Sequence, residues 1–184
     1  MLSTAFRMPL LPHTHHLRRR AGRGGAPADQ AFLLQRVQPA LSGLMDGSLS
    51  TLAPIFAVVL ATHQPRTAFF TGLATALGAG VSMAFSEGLS DTGDLTGRGN
   101  PFVRGGITGG GTFLGGVFHT LPFLISSYSV AIVVAVVVVA VELVVLAALR
   151  SIFFRTSFSS SFVSVTLGGA IIAGLSSALG VAAG

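Results

Sequence analysis

Residues 42–62 read SGLMDGSLSTLAPIFAVVLAT, residues 63–66 read HQPR, and residues 67–88 read TAFFTGLATALGAGVSMAFSEG. Two apolar runs of roughly 20 residues thus flank one short turn that contains a Gln-Pro pair. An α-helix of that length crosses the ~30 Å hydrocarbon core of a bilayer at ~1.5 Å per residue. The two runs therefore predict an antiparallel pair of membrane-spanning helices.

The polar residues in these two runs are few, and they lie at matching distances from the turn. Asp46 lies about 18 residues before the turn, Met83 about 18 residues after it, and Glu87 one helical turn further on. Equal distance from the turn means equal depth, so we expect Asp46 and Met83 at one level and Glu87 about 6 Å away. A carboxylate inside a membrane helix costs roughly 2.5 kcal/mol or more without a partner or water. Two carboxylates beside a thioether therefore suggest a cation site.

The composition is that of an integral membrane protein. The chain has 184 residues, of which 51% are hydrophobic and 9% charged, whereas about 25% of the residues in a soluble domain are charged. There is no cysteine, which excludes disulfides, thiolate metal sites, iron–sulfur clusters and cysteine nucleophiles. The net charge of +5 comes largely from arginines before residue 37, so it indicates membrane orientation and no nucleic-acid partner.

The rest of the chain predicts an all-α bundle of five transmembrane helices behind a short leader. Residues 1–38 are polar, rich in proline, glycine and arginine, and without periodicity, so we expect a disordered cytoplasmic leader. Residues 89–104 are a polar segment whose charged side chains are expected to be solvated. The five helices are expected at about 41–62, 67–88, 105–125, 129–149 and 158–183.

Small residues at four-residue spacing predict where these helices touch. The second helix has Gly72, Ala76 and Gly80, and the third has the pairs Gly105/Gly109 and Gly111/Gly115. In water such a glycine-rich segment would be a poor helix. In a membrane, small residues at this spacing let two helices approach closely. The third helix is therefore predicted to lie at a tightly packed interface.

Pro54 frees a backbone oxygen that could serve as a ligand on the face of the first helix that carries Asp46. Proline removes its own N–H and leaves the carbonyl four residues earlier, that of Ser50, without its helical partner. Ser50 lies one turn after Asp46 and shares its face. The freed carbonyl could meet an ion, or a serine or threonine hydroxyl could satisfy the kink. The candidate metal ligands are thus Asp46, Ser50, Met83 and Glu87.

Glu142 and His119 are the ionisable residues of the later helices. Glu142 is the only charge within the apolar run of the fourth helix and is expected on the same side as Asp46, with no basic partner at its depth. That makes it, with Glu87, a candidate for proton coupling. His119 is expected near the far end of the third helix, in the half of the membrane opposite Asp46. Proton relay and hydrogen-bonded packing are both open for it.

The segments 46–52 (DGSLSTL) and 78–90 (GAGVSMAFSEGLS) resemble the vacuolar iron transporter family, and the span from about 38 to 184 fits that family as five helices. The resemblance implies a homodimer with its pore between the first helices, and it maps the pore ligands onto Asp46 and Met83 and a further carboxylate onto Glu87. The short segment 89–104 departs from eukaryotic members, which insert a metal-binding domain there. That segment and the sequence HTLPFLI at 119–125 look more like bacterial membrane-bound ferritin proteins.

The expected function is a divalent metal transporter that exports Fe²⁺ or Mn²⁺ from the cytoplasm by proton antiport. Carboxylates with one thioether suit such borderline ions. Ten of the eleven arginines fall on one side if the N-terminus is cytoplasmic, which predicts a multi-pass protein of a bacterial inner membrane. The expected partners are divalent ions, lipid and a second copy of the chain, with no resident cofactor and no enzymatic activity.

Two alternatives come from other classes of protein. The first is a membrane subunit that binds an iron-storage, ferritin-like protein without transporting metal. The second is an intramembrane hydrolase using His119, Asp46 and a serine; it is disfavoured because the chain has no G-x-S-x-G nucleophile motif.

Overall fold

The structure, a computed structural model, describes residues 27–93 and 96–184. The protein is all-helical, with 88% of residues in helices and no strand in the described ranges. In chain order the elements are α1 (Pro27–Phe32), a π-helical segment (Leu33–Val37), α2 (Gln38–Thr62), α3 (Pro65–Gly88), α4 (Pro101–Thr120), a 3₁₀ turn (Leu121–Leu124), α5 (Tyr128–Phe154) and α6 (Phe158–Ala183).

The first helix begins earlier than the sequence predicts. The chain is continuously helical from α1 through the π-helical segment into α2. The expectation of disorder is therefore wrong for residues 27–38, while residues 1–26 of the predicted leader lie outside the described residues. Proline is favoured in the first helical turn, and the following stretch AFLLQ consists mostly of good helix formers. Those local preferences outweigh the compositional signal of the arginine-rich leader.

The third predicted helix is shifted toward the N-terminus. It begins at Pro101 because Asn100 caps it, with its Oδ1 accepting hydrogen bonds from Phe102 N at 2.9 Å and Val103 N at 3.2 Å. It ends at Thr120, where the 3₁₀ turn containing Pro122 takes over. The other predicted helices end within a few residues of the observed bounds, and α6 spans the range 158–183 that the sequence predicts.

Four helical segments are long and apolar enough to cross a membrane: Ala28–Thr62, Pro65–Gly88, Tyr128–Phe154 and Phe158–Ala183. The protein thus has the helices of a multi-pass membrane protein. Helix α4 is not among these four. Its glycines, threonines, Arg104 and His119 lower its hydropathy, and most of these residues are buried. Its polar surface is therefore covered by the protein itself.

Helix α4 packs on α2 through glycines that allow the two backbones to touch. A Cβ on Gly43 would collide with the carbonyl oxygen of Thr108, and one on Gly47 with that of Thr112. On the α4 side, a Cβ on Gly115 would lie 2.5 Å from Leu44 O. Residue numbers rise together along the two helices, so α4 runs parallel to α2.

The opposite face of α4 packs on α3 in the same manner. A Cβ on Gly105 would lie 2.5 Å from Ala84 O, and one on Gly109 would lie 2.5 Å from Gly80 O. Thr120, at the other end of α4, reaches Gly72. The predicted glycine interfaces of the third helix are confirmed, and α4 runs antiparallel to α3 over most of its length.

Helices α5 and α6 complete the bundle on another side of α2. Leu143 and Leu146 of α5 form a buried cluster with Val165 of α6, and Leu49 of α2 packs against it. Further along, a Cβ on Gly180 of α6 would lie 2.6 Å from Ala57 O of α2. Helix α2 therefore contacts each of the helices α3 to α6.

Candidate metal and proton sites

Asp46 lies in the middle of the long first helix, half-buried and without a protein partner. Its carboxylate makes no hydrogen bond or ion pair with any residue in the described ranges. Its backbone carbonyl accepts a hydrogen bond from Ser50 Oγ at 2.6 Å. The glycines that meet α4, Gly43 and Gly47, lie on a different face of α2. The carboxylate therefore lies on the side of α2 that faces away from α4.

The hydroxyl groups near Pro54 do not satisfy the carbonyl that proline leaves free. Ser50 Oγ donates to Asp46 O, and Thr51 Oγ1 donates to Gly47 O at 2.8 Å. Both are bonds to the carbonyl one turn earlier, so neither reaches the Ser50 carbonyl. Asp46 and Ser50 share one face of α2, and Pro54 lies within the same helix.

The pairing of α2 with α3 places Met83 near the depth of Asp46. Ile55 meets Gly72, and one glycine of α4, Gly116, meets both Thr51 and Ala76. The residue numbers of the two pairs, Ile55 with Gly72 and Thr51 with Ala76, add up to the same value, as expected for an antiparallel hairpin. Extending this register puts Asp46 level with position 81, and Met83 is about 3 Å further along the axis.

Glu87 lies in a group of ion pairs at the end of α3, which we call the arginine clasp (Glu87, Asp91, Arg98 and Arg104). Glu87 Oε1 accepts from Arg98 Nη2 and from Arg104 Nε, each at 2.7 Å. Asp91 contacts the same two guanidinium groups at 3.3 Å. Arg104 also donates to Gly99 O and Ser90 Oγ, so it ties the loop to both α3 and α4.

The arginine clasp corrects the expectation of a solvated loop. The Arg104 side chain is only 1% exposed, since α4 begins one turn earlier than predicted and carries it inside. Partial desolvation acts to raise the pKa of Asp91. The Arg104 charge and hydrogen bonds from Gly93 N, Thr96 and Arg98 outweigh it, so this pKa lies below its usual value. Glu87 is thus engaged by two cations and is not brought together with Asp46 by any contact.

Glu142 belongs to a second polar group, which we call the Glu142 cluster (Ser48, His119 and Glu142). Ser48 Oγ makes a short hydrogen bond to Glu142 Oε1. His119 Nε2 lies 3.1 Å from Glu142 Oε2, within ion-pair distance but without the alignment of a hydrogen bond. His119 Nδ1 donates to Gly115 O at 3.1 Å. The cluster therefore joins α2, α4 and α5.

Two expectations about these residues are wrong. Glu142 does have a basic neighbour at its depth, and His119 does not lie in the opposite half of the membrane from Asp46. Side chains on a helix lean toward its N-terminus, so the imidazole of His119 reaches back to the level of Gly115. Gly115 in turn faces Ser48, only two residues from Asp46.

Ser48 is not among the site residues that the sequence predicts, although its partner helix α4 carries a signal for it. Gly115 and His119 are four residues apart and share a face of α4. The small residue Gly115 leaves room beside His119 for a polar side chain from the neighbouring helix. Which residue fills that space depends on the helix register. Ser48 and Asp46 lie about 200° apart around α2, so the helix separates the two polar sites.

Within the described residues, no group of three or more histidine, aspartate or glutamate side chains could hold a metal ion. In a single copy of the chain, Asp46 lies on one face of α2. His119 of α4 and Glu142 of α5 lie against another face of α2. Comparisons with protein-family models, with curated proteins and with solved structures gave no match to this chain.

Proposed function

We propose that this protein transports a divalent metal ion, Fe²⁺ or Mn²⁺, across a membrane, with Asp46 as the central ligand. The observation that carries the proposal is the state of the Asp46 carboxylate. It lies in the middle of an apolar helix and has no hydrogen-bond donor among the described residues. An unpaired carboxylate in such a position is costly and is typical of an ion pathway. A divalent cation would supply the positive charge that the described residues do not.

The other ligands follow from the faces and depth of α2 and α3. Ser50 lies one turn from Asp46 on the same face, and Met83 lies within about 3 Å of its depth. Carboxylate and carbonyl oxygens with one thioether favour Fe²⁺ or Mn²⁺ over Cu⁺. Glu87 stays a candidate, but it would have to release a guanidinium group of Arg98 or Arg104 before it could bind a metal ion.

We propose a homodimer because one chain supplies too few ligands. Metal ions of this kind prefer about six ligands, whereas Asp46, Ser50 and Met83 give about half that number. A two-fold axis beside α2 would double each of them. Asp46 is half-buried and does not face α4, so its part of α2 stays accessible to a second copy, while α6 packs on the same face further along, at Ala57. The resemblance to the vacuolar iron transporter family implies the same arrangement.

We also propose that α4 crosses the membrane, which gives five spans. The hydropathy of α4 alone does not require this, but it lies alongside α3 from Gly88 to Gly72. Five spans with a cytoplasmic N-terminus put Arg98, Arg104, Arg150 and Arg155 on the cytoplasmic side. Transport would then export metal through a bacterial inner membrane in exchange for protons, with Glu142 and Glu87 as the candidate proton carriers.

Metal flux into liposomes that contain the purified full-length chain tests the proposal. We expect uptake of Fe²⁺ and Mn²⁺ in the unchanged chain and loss of both in Asp46→Asn, because the amide removes the charge that offsets metal dehydration. Asp29→Asn is the matched control, since Asp29 is an exposed acid of α1. Flux that survives Asp46→Asn would contradict the proposal.

The alternative function is a membrane subunit that binds metal, or a ferritin-like partner, without transport. This alternative also uses the half-buried Asp46 as a ligand, but it predicts metal binding without metal flux in the same liposomes. Native mass spectrometry supplies an independent test of the ligand arithmetic: transport by a monomeric chain would exclude the two-fold site.

A further inference from the structure

The Glu142 cluster has fewer hydrogen atoms than its contacts require. Ser48 Oγ lies within hydrogen-bond distance of two acceptors, Leu44 O at 2.8 Å and Glu142 Oε1. A hydroxyl group has one proton to donate. It therefore satisfies one of these two contacts, and the other needs a proton from Glu142 or remains unmade.

The contact between His119 and Glu142 also lacks a hydrogen atom. A carbonyl only accepts, so the hydrogen bond to Gly115 O places the imidazole proton of His119 on Nδ1. In the neutral ring Nε2 is then an acceptor, and it faces Oε2 of Glu142 at 3.1 Å. Both atoms are buried and have no other hydrogen-bond partner among the described residues. Two unprotonated acceptors at this distance repel each other.

One added proton resolves both the contact and the charge. Placed on Oε2, it makes Glu142 the donor and His119 the acceptor and leaves both side chains neutral, whereas on Nε2 it would leave a buried ion pair. The cluster without it carries one negative charge, and a second added proton would make it positive. The state with one added proton is neutral, which apolar surroundings favour over either charged state.

Among the residues that the structure describes, no other ionisable group faces this pair from the neighbouring elements. Helix α6 and the 3₁₀ turn contain no titratable residue. Helix α2 contributes Ser48, while Asp46 lies on a different face of the same helix. Glu142 is 16% exposed on its other side, where it is the one charged lining residue of a groove of about 390 Å³ formed mainly by valines and leucines.

We propose that Glu142, His119 and Ser48 form a site that binds one proton on Oε2 of Glu142, which donates a hydrogen bond to Nε2 of His119. His119 is the positioning residue that completes the site, and Ser48 fixes the other carboxyl oxygen. The exchange of this proton for a metal ion rests on the proposed function, whereas the binding of the proton does not.

The apolar groove offers a direct probe of the protonated carboxyl group. The hydrophobic reagent N,N′-dicyclohexylcarbodiimide reacts with a carboxylic acid. The acid gives its proton to one carbodiimide nitrogen, and its oxygen bonds to the central carbon to form an O-acylisourea. Transfer of the acyl group from that oxygen to the nitrogen yields a stable N-acylurea, with no oxidant or reductant involved. Mass spectrometry of peptides locates the adduct.

The experiment labels the full-length chain in liposomes at neutral pH. We expect an adduct on Glu142, and none on Glu87, whose carboxylate is paired with two guanidinium groups. His119→Phe should lower labelling of Glu142 about tenfold, because the proton loses its hydrogen-bond acceptor. Any adduct on Asp46 should not change in that variant and serves as an internal control for folding and for reagent access.

A second measurement does not depend on the folding of a variant at position 119. The infrared carbonyl stretch of a protonated carboxyl group should be present in the unchanged chain and lost in Glu142→Gln. An unlabelled Glu142, a missing stretch, or labelling unaffected by His119→Phe would overturn the proposal. Protection of Glu142 by Mn²⁺ in Asp46→Asn would also overturn it, since the cluster would then hold a metal ion. None of these results depends on whether the protein transports metal.

Discussion

Two adjacent glycines of α4 should respond to the same substitution in opposite ways. A Cβ on Gly109 would lie 2.5 Å from Gly80 O and 2.6 Å from Ala84 Cβ, whereas a Cβ on Gly110 would have no heavy atom within 4 Å. Ordinary contacts of a carbon with oxygen or carbon are about 3.3–4.0 Å. Gly109→Ala must therefore push α3 and α4 apart by about 1 Å, and the obstructing oxygen belongs to a backbone that cannot rotate away.

The magnitudes follow from these contacts. Overpacking of this kind costs about 1–3 kcal/mol, so we expect Gly109→Ala to destabilise the protein by about 2 kcal/mol. Gly110→Ala should be neutral or up to about 1 kcal/mol stabilising, since alanine restricts the unfolded chain and favours the helix. Reversible unfolding of both variants in mixed detergent micelles measures the difference. Equal stability of the two variants would refute the close packing of α3 on α4.

Three further predictions concern the metal site and the arginine clasp. Met83→Leu conserves volume and should leave folding nearly unchanged, costing under about 1.5 kcal/mol, while it lowers Fe²⁺ flux more than Mn²⁺ flux in liposomes; equal effects on both ions would exclude a sulfur ligand. Arg104→Lys should destabilise the protein by about 2–3 kcal/mol in chemical unfolding because an ammonium group cannot serve the acceptors that the buried guanidinium group reaches; Arg98→Lys, at a more exposed position, should cost less. Asp91 has a lowered pKa in the folded state. Its stabilising effect is therefore present above the pKa of the unfolded chain, ~3.9, and is lost as the pH falls through the folded-state pKa. The difference in melting temperature between Asp91→Asn and the unchanged chain should accordingly shrink in acid.

The helical architecture was readable from the sequence because apolar length and small-residue spacing act locally. Gly105 and Gly109 meet α3 as their spacing predicts, and the turn after Thr62 lies where the Gln-Pro pair indicates. The beginnings of α1 and α4 were less predictable. The π-helical segment continues the helix through a polar sequence, and Asn100 starts α4 one turn early by capping it.

The polar contacts depend on how the helices are aligned with one another, which the sequence does not state. Asp46 and Met83 could be paired in advance because one short turn fixes their register. Glu142 and His119 are separated by a 3₁₀ turn and a change of direction, so small differences in register change which groups meet. The burial of Arg104 is hidden in the sequence for a similar reason, because it follows from the early start of α4.

The covered polar surface of α4 has a consequence for how the protein enters a membrane. With at least 18 residues each and a high mean hydropathy, α3, α5 or α6 could move from the insertion machinery into lipid by themselves. Helix α4 presents glycine backbone, threonine hydroxyls and His119, which lipid solvates poorly. Its residence in the bilayer would thus depend on α2 and α3 already being there, and synthesis from the N-terminus delivers them first. Order of synthesis, as well as sequence, would then determine whether this chain reaches its native topology.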